Sequence, residues 1–107
     1  MVRVIVNHLT KSKEDAERLM GVIVQLRNEA MKQPGYVTGE TLVNNEDPTN
    51  VLVISTWNTP ESWDAWDTSE VRTRITREMM MPLLREPYKV NIHSFARMQR
   101  GRVMSIV

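Results

Sequence analysis

The sequence predicts an α+β domain of ferredoxin-like type, a βαββαβ unit built on a four-stranded antiparallel sheet. Three observations predict it. Two stretches of helical periodicity alternate with runs of β-branched residues, a dense turn cluster splits the two middle runs, and the chain has only 107 residues. That length suits one core, because domains cluster at roughly 100–150 residues and smaller units bury too little surface to stand alone.

Val2 to Leu9 alternates Val2, Val4 and Val6 against Arg3, Ile5 and Asn7, which reads as the first strand. Ser12 followed by Asp15 is a capping-box signature. It opens a segment with apolar residues at Ala16, Leu19, Met20, Ile23, Leu26 and Ala30, one face of a long helix ended by Pro34-Gly35. Tyr36 to Val43 alternates again, and Asn44-Asn45-Glu46-Asp47-Pro48 is the turn. Val51 to Trp57 is nearly continuous apolar, as expected of a central strand covered on both faces. Thr59 then sets a capping hydroxyl before Pro60 at the first helical position, and Trp63 and Trp66 share a helix face. Asp67 and Glu70 can restart the helix, and Val71, Ile75 and Met79 extend its apolar stripe until Pro82. Arg72, Arg74 and Arg77 read as the solvated flank of that helix, with a lip for an anionic substrate as the other reading. Tyr88 to Phe95 is the last strand.

Two helices on one side of four strands leave the second sheet face bare. Val4, Val6, Val51, Val53, Val90 and Ile92 read as apolar side chains on both faces, so a second copy of the chain is expected to cover the free one. Residues 1–96 form the domain on this reading, and 97–107 are a tail, basic first and apolar last. Such a tail either frays or reaches across the dimer as an arm.

Composition removes several function classes. Lys and Arg number 14 against 13 Asp and Glu, a formal charge of +1, which lacks the basic excess of a nucleic-acid surface. The chain has no cysteine, hence no disulfide, thiolate nucleophile or thiolate metal site. No run approaches the roughly 18–20 apolar residues of a membrane span, and Met1 to Asn7 lacks the pattern of a secretory leader. A cytoplasmic protein with no membrane partner is the expectation. Eight Met and three Trp suit a pocket lining or a subunit interface as well as an ordinary core.

Three stretches together carry a family resemblance: Gly35-Tyr36-Val37-Thr38-Gly39-Glu40-Thr41-Leu42, Val53 to Trp57 with Trp63-Asp64-Ala65-Trp66 behind it, and Met81-Pro82-Leu83-Leu84-Arg85-Glu86-Pro87. They resemble the antibiotic biosynthesis monooxygenase domain, from Val2 to about Phe95. The resemblance implies a dimeric α/β barrel, two ferredoxin-like sheets meeting face to face, with a pocket between sheet and helices in each subunit. It also implies a choice of chemistries, from metal-free and flavin-free oxidation of aromatic polyketides to heme degradation, and a fold by itself does not choose among them.

The heme-degrading branch of that family carries a pocket Asn on the first strand, a pocket Trp on the second helix and an iron-ligating His about ten residues further on. Asn7 and Trp66 match the first two positions, whereas Thr76 falls at the third, where an alcohol is no normal axial ligand. Heme is therefore disfavoured, and no bound cofactor or metal is expected. A cofactor-free oxygenation needs a base, a donor for the substrate anion and a dry pocket. The expected catalytic residues are Asn7 as donor and orienter, Trp66, and His93 as proton acceptor, with Tyr36 as the other candidate acceptor. Trp63, Tyr36 and Ile75 are expected to line the substrate pocket. The resulting expectation is a small cofactor-independent monooxygenase acting on an aromatic or quinone-like molecule in a pocket between sheet and helices; the alternative is a non-catalytic or heme-degrading dimer that binds a small ligand or heme.

Overall fold

The computed structural model describes residues 1–99 and 102–105, with side chains through Ala96. Strand β1 (Val2–Leu9), helix α1 (Lys13–Ala30), β2 (Tyr36–Val43), β3 (Asn50–Trp57), helices α2 (Pro60–Asp67) and α3 (Glu70–Ile75), and β4 (Lys89–Ser94) follow in the predicted order. The sheet is open, antiparallel and ordered β2-β3-β1-β4, so β1 and β3 are its two inner strands. This is the ferredoxin-like arrangement.

Each helix starts where a side-chain oxygen meets an unpaired amide. Ser12 accepts from the Asp15 N–H at 3.1 Å, Thr59 from the Ser62 N–H at 3.1 Å and Ser69 from the Arg72 N–H at 3.3 Å. Such caps contribute about 1 kcal/mol apiece. Helix α1 buries Ala16, Leu19, Val22, Ile23, Leu26 and Ala30 against the sheet. Gly35 turns the chain into β2 with φ 86°, and a Cβ there would collide with the Ser62 side chain.

Beyond Ile75 the helix loosens into a π turn, Thr76–Met80, and then a 3-10 turn, Met81–Leu83. The extra residue shifts the apolar stripe. Ile75 is followed in the core by Met80, not by the expected Met79, which is 43 % exposed. The chain then runs back along the end of β1, where the Lys11 N–H donates to the Leu83 carbonyl and the Arg85 N–H to the Leu9 carbonyl. This return places Tyr88 beside His8, with ring centres 5.9 Å apart.

The two faces of the sheet differ from the sequence reading. Cross-strand pairing sets Val4 against Ser55 and Ile92, Val6 against Val53 and Val90, and Val51 against His8. Directly paired residues point the same way, so the six residues expected on two faces all share the helix face. The open face carries Ile5, Leu52, Ile54 and Leu42 among Arg3, Asn7, Glu40 and His93. Strand β4 is exposed along its whole length in the single chain.

In the tail, Arg97–Gln99 (β5) and Arg102–Ser105 (β6) pair as a two-stranded sheet separate from the main one. Residues 100, 101, 106 and 107 of the expected arm lie outside the described residues.

Candidate functional site

Between the sheet and the helices lies a cavity of about 60 Å³, bordered by Val6 and His8 from β1, Val53, Ser55 and Trp57 from β3, Tyr36 and Gly39 from β2, and residues of every helix. Its walls are aromatic. The Tyr36 and Trp57 rings meet edge-on at 5.3 Å, and Trp57 and Trp63 at 6.0 Å, while Trp66 is 3 % exposed on the same helix face as Trp63. The Trp57 indole N–H donates to the Ser55 hydroxyl at 2.9 Å, which satisfies the ring's one polar atom and fixes its plane.

Of the residues expected in the pocket, Tyr36, Trp63 and Trp66 border this cavity. Three others do not. Asn7 has the parity of Ile5 and Arg3, so it points to the open face, where its side-chain carbonyl accepts from the Asn50 amide at 3.2 Å. His93 pairs with Arg3, on that same open face, and is exposed. Ile75 is 2 % exposed inside the core without bordering the cavity. The one-residue alternation of a strand accounts for the first two displacements.

The residue that alternation brings inward is His8, 1 % exposed. Its Nδ1 lies 3.1 Å from the Val51 carbonyl. A carbonyl only accepts, so Nδ1 carries the proton and Nε2 keeps its lone pair. Among the described residues Nε2 has no hydrogen-bond partner. Burial pushes the imidazole below its ordinary value, the bond to Val51 offsets part of this, and the positive Arg72 adds to the depression.

Arg72 departs most from expectation. Instead of flanking α3 in solvent, as Arg74 and Arg77 do, it is 6 % exposed. Its Nε donates to Asp67 Oδ1 at 3.0 Å, and its guanidinium carbon lies 5.1 Å from the Trp63 ring centre and 6.0 Å from that of Tyr88. Arg72 borders the cavity and also a second hollow of about 470 Å³, open to the surface and lined by Asp67, Thr76, Met81 and Tyr88 among others. The signals for His8 and Arg72 were present in the sequence. His8 ends the Val2-Val4-Val6 series, and Arg72 is the one arginine of its run placed three residues after a capping serine.

Thr76 is buried and its hydroxyl has no partner among the described residues. An alcohol there does not fit heme iron. No group of three or more His, Cys, Asp or Glu side chains could hold a metal among the described residues, and no helix among them is long and apolar enough to cross a membrane.

Solved structures share this architecture. One named as an antibiotic biosynthesis monooxygenase superposes with a TM-score of 0.78 at 18 % identity, covering 91 % of this chain and 100 % of its own. A protein of Nitrosomonas europaea assigned to the same class gives 0.79 at 17 %, covering 88 % of each chain. SnoaB of Streptomyces nogalater, a cofactor-independent oxygenase, gives 0.76 at 13 %, covering 94 % of this chain and 97 % of its own. At such identities the likeness shows the fold. No curated protein matches the chain. Residues 1–77, from β1 through the cavity-lining helices, match the sequence profile of antibiotic biosynthesis monooxygenases. The aromatic-walled cavity thus sits inside the matched segment, and the chain belongs to the antibiotic biosynthesis monooxygenase family.

Proposed function

We propose that the protein is a cofactor-independent monooxygenase acting on a flat aromatic or quinone-like molecule. The observation that carries this is the cavity walled by Tyr36, Trp57, Trp63 and Trp66, whose ring faces match such a substrate and exclude water. The substrate would supply all the electrons. Its deprotonated form passes an electron to dioxygen, the two radicals combine to a peroxide on carbon, and loss of water leaves a carbonyl where a CH₂ stood. The fold of a cofactor-independent oxygenase supports the reading.

A cavity of about 60 Å³ is smaller than the roughly 300 Å³ at which ligand pockets begin. Binding therefore requires the wall to open, and the π turn carrying Met80 is the segment suited to yield, since such turns break the regular hydrogen-bond ladder.

The working unit is a homodimer in this proposal, joined through the open sheet face bearing Ile5, Leu52, Ile54 and Leu42, with the β5–β6 hairpin as an arm across the partner. The full exposure of β4 on both faces favours a neighbour there. Oxygen uptake tests the function. Colourless, chelator-treated protein mixed with dihydroxynaphthalenes and anthrone-type ketones should consume oxygen well above the spontaneous rate; a binding signal with no uptake across the panel would favour a ligand-binding protein without turnover.

A further inference from the structure

A buried unpaired acceptor and a charged donor border the cavity, and they are complementary. His8 Nε2 is a buried lone pair with no donor among the described residues. The Arg72 guanidinium is held by Asp67 through Nε alone, and among the described residues its two Nη groups bond no acceptor. Both side chains pack on Tyr88. Leaving the buried Nε2 unpaired is unfavourable, whereas Arg72 also borders the open outer hollow and offers its Nη groups as charged donors. A ligand hydroxyl answers both, because it is at once a donor and, when ionised, a strong acceptor for guanidinium.

We propose that His8 and Arg72 form a site for an acidic hydroxyl, in which His8 Nε2 takes the proton of a phenol or enol and Arg72 holds the resulting oxyanion. The ligand's O–H bond breaks, an Nε2–H bond forms, and the electron pair stays on oxygen; nothing is oxidised in this step. Charge balance favours it. The positive Arg72 disfavours a free imidazolium, so His8 waits neutral. Once the oxyanion lies between them, that repulsion is cancelled. Of the other ionisable groups, Arg27 and Tyr36 line the cavity, where Arg27 donates to Thr41 at 2.7 Å and the Tyr36 ring packs on Trp57, while Asp67, paired with Arg72, and Tyr88 line the outer hollow. Arg72 also borders the outer hollow, so an acidic hydroxyl arriving from solvent meets it first.

The inference rests on the proposed function only for the place where the ligand binds, and its test is run without oxygen so that the two can fail separately. The probes are 2-naphthol and its methyl ether, 2-methoxynaphthalene, followed by quenching of tryptophan fluorescence and by absorbance. Near neutral pH the bound naphthol should show the red-shifted band of its anion, and the ether should bind roughly tenfold or more weakly, as expected for a lost bond to a charged group. His8→Gln should abolish the anion band, and Arg72→Met should weaken naphthol binding by a similar factor. A neutral naphthol spectrum on the wild-type protein, equal affinity for naphthol and ether, or an anion band that survives His8→Gln would overturn the proposal. The wild-type comparison decides the matter even if a variant does not fold. Anion formation without later oxygen uptake would keep this site and sink the monooxygenase reading; oxygen uptake with naphthol bound neutral would do the reverse.

Discussion

The ring of His8 is hydrogen-bonded to the carbonyl of Val51 across the pair of central strands, at 3.1 Å, and this single contact decides which of its nitrogens is basic. Strand register makes the two residues direct partners. The bond turns one ring edge down to the sheet and leaves the other without a partner among the described residues.

Because burial holds the His8 imidazole below its ordinary value, the unfolded chain binds a proton at higher pH than the folded one. Stability from this group is therefore fully present above about pH 6.5, the unfolded value, and is lost as pH falls below it. The slope approaches about 1.4 kcal/mol per pH unit while only the unfolded state is protonated. Urea denaturation between neutral and mildly acid pH should show this decline, and His8→Gln should remove it. A decline of equal slope in the variant would assign it to other groups.

Gly35 combines a left-handed backbone with a neighbour that leaves no room for a side chain. Gly35→Ala should destabilise the protein by roughly 1–3 kcal/mol, from the strained φ and the displaced Ser62 together. Thermal melts that coincide would show that the turn relaxes freely.

The cavity and the open face make opposite demands on Asn7 and Met80. Asn7→Ala removes one half-buried bond to Asn50, which should lower stability by no more than about 1 kcal/mol. It should leave 2-naphthol affinity within error of wild type. Met80→Phe places a larger side chain against the 60 Å³ space and should weaken the same ligand roughly tenfold by occlusion. Fluorescence titration checks both, and affinity that followed Asn7 instead of Met80 would move the site to the other side of the sheet.

Ile54 stands at the middle of the open face, paired with Ile5 on one side and Glu40 on the other. Ile54→Lys should shift the sedimentation coefficient from dimer toward monomer at micromolar concentration, because an unpaired charge at an interface centre is disfavoured. Wild-type protein sedimenting as a folded monomer would contradict the dimer.

The elements were legible in the sequence because their signals are local. Ser12 and Thr59 cap the helices that follow them, whereas α3 starts from Ser69 and not from the expected Asp67, and the two apolar periodicities locate the buried faces. Tyr36, Trp63 and Trp66 could be placed near a pocket since large aromatics on buried faces have few other destinations. Which side of the sheet each strand residue takes was harder. Asn7 and His8 are adjacent, β1 has apolar residues at both parities, and only the position of the helices distinguishes them. Arg72 escaped for a different reason. Its neighbours Arg74 and Arg77 are solvated, and burial of a guanidinium depends on Trp63 and Asp67 of α2 and on Tyr88, just before β4, arriving together. The Met79-to-Met80 shift follows from a π turn, which ordinary helical spacing does not anticipate.

Oxygen incorporation from isotopically labelled dioxygen is the most direct test of the central claim, that the aromatic cavity oxygenates its ligand unaided. Chelator-treated protein, free of heme and flavin absorbance, would be incubated with an anthrone-type substrate and the product weighed by mass spectrometry. The account predicts a quinone carrying one labelled oxygen atom, formed at a rate that falls at least roughly tenfold in His8→Gln. Unlabelled product, or labelled product formed no faster than in buffer alone, would contradict it.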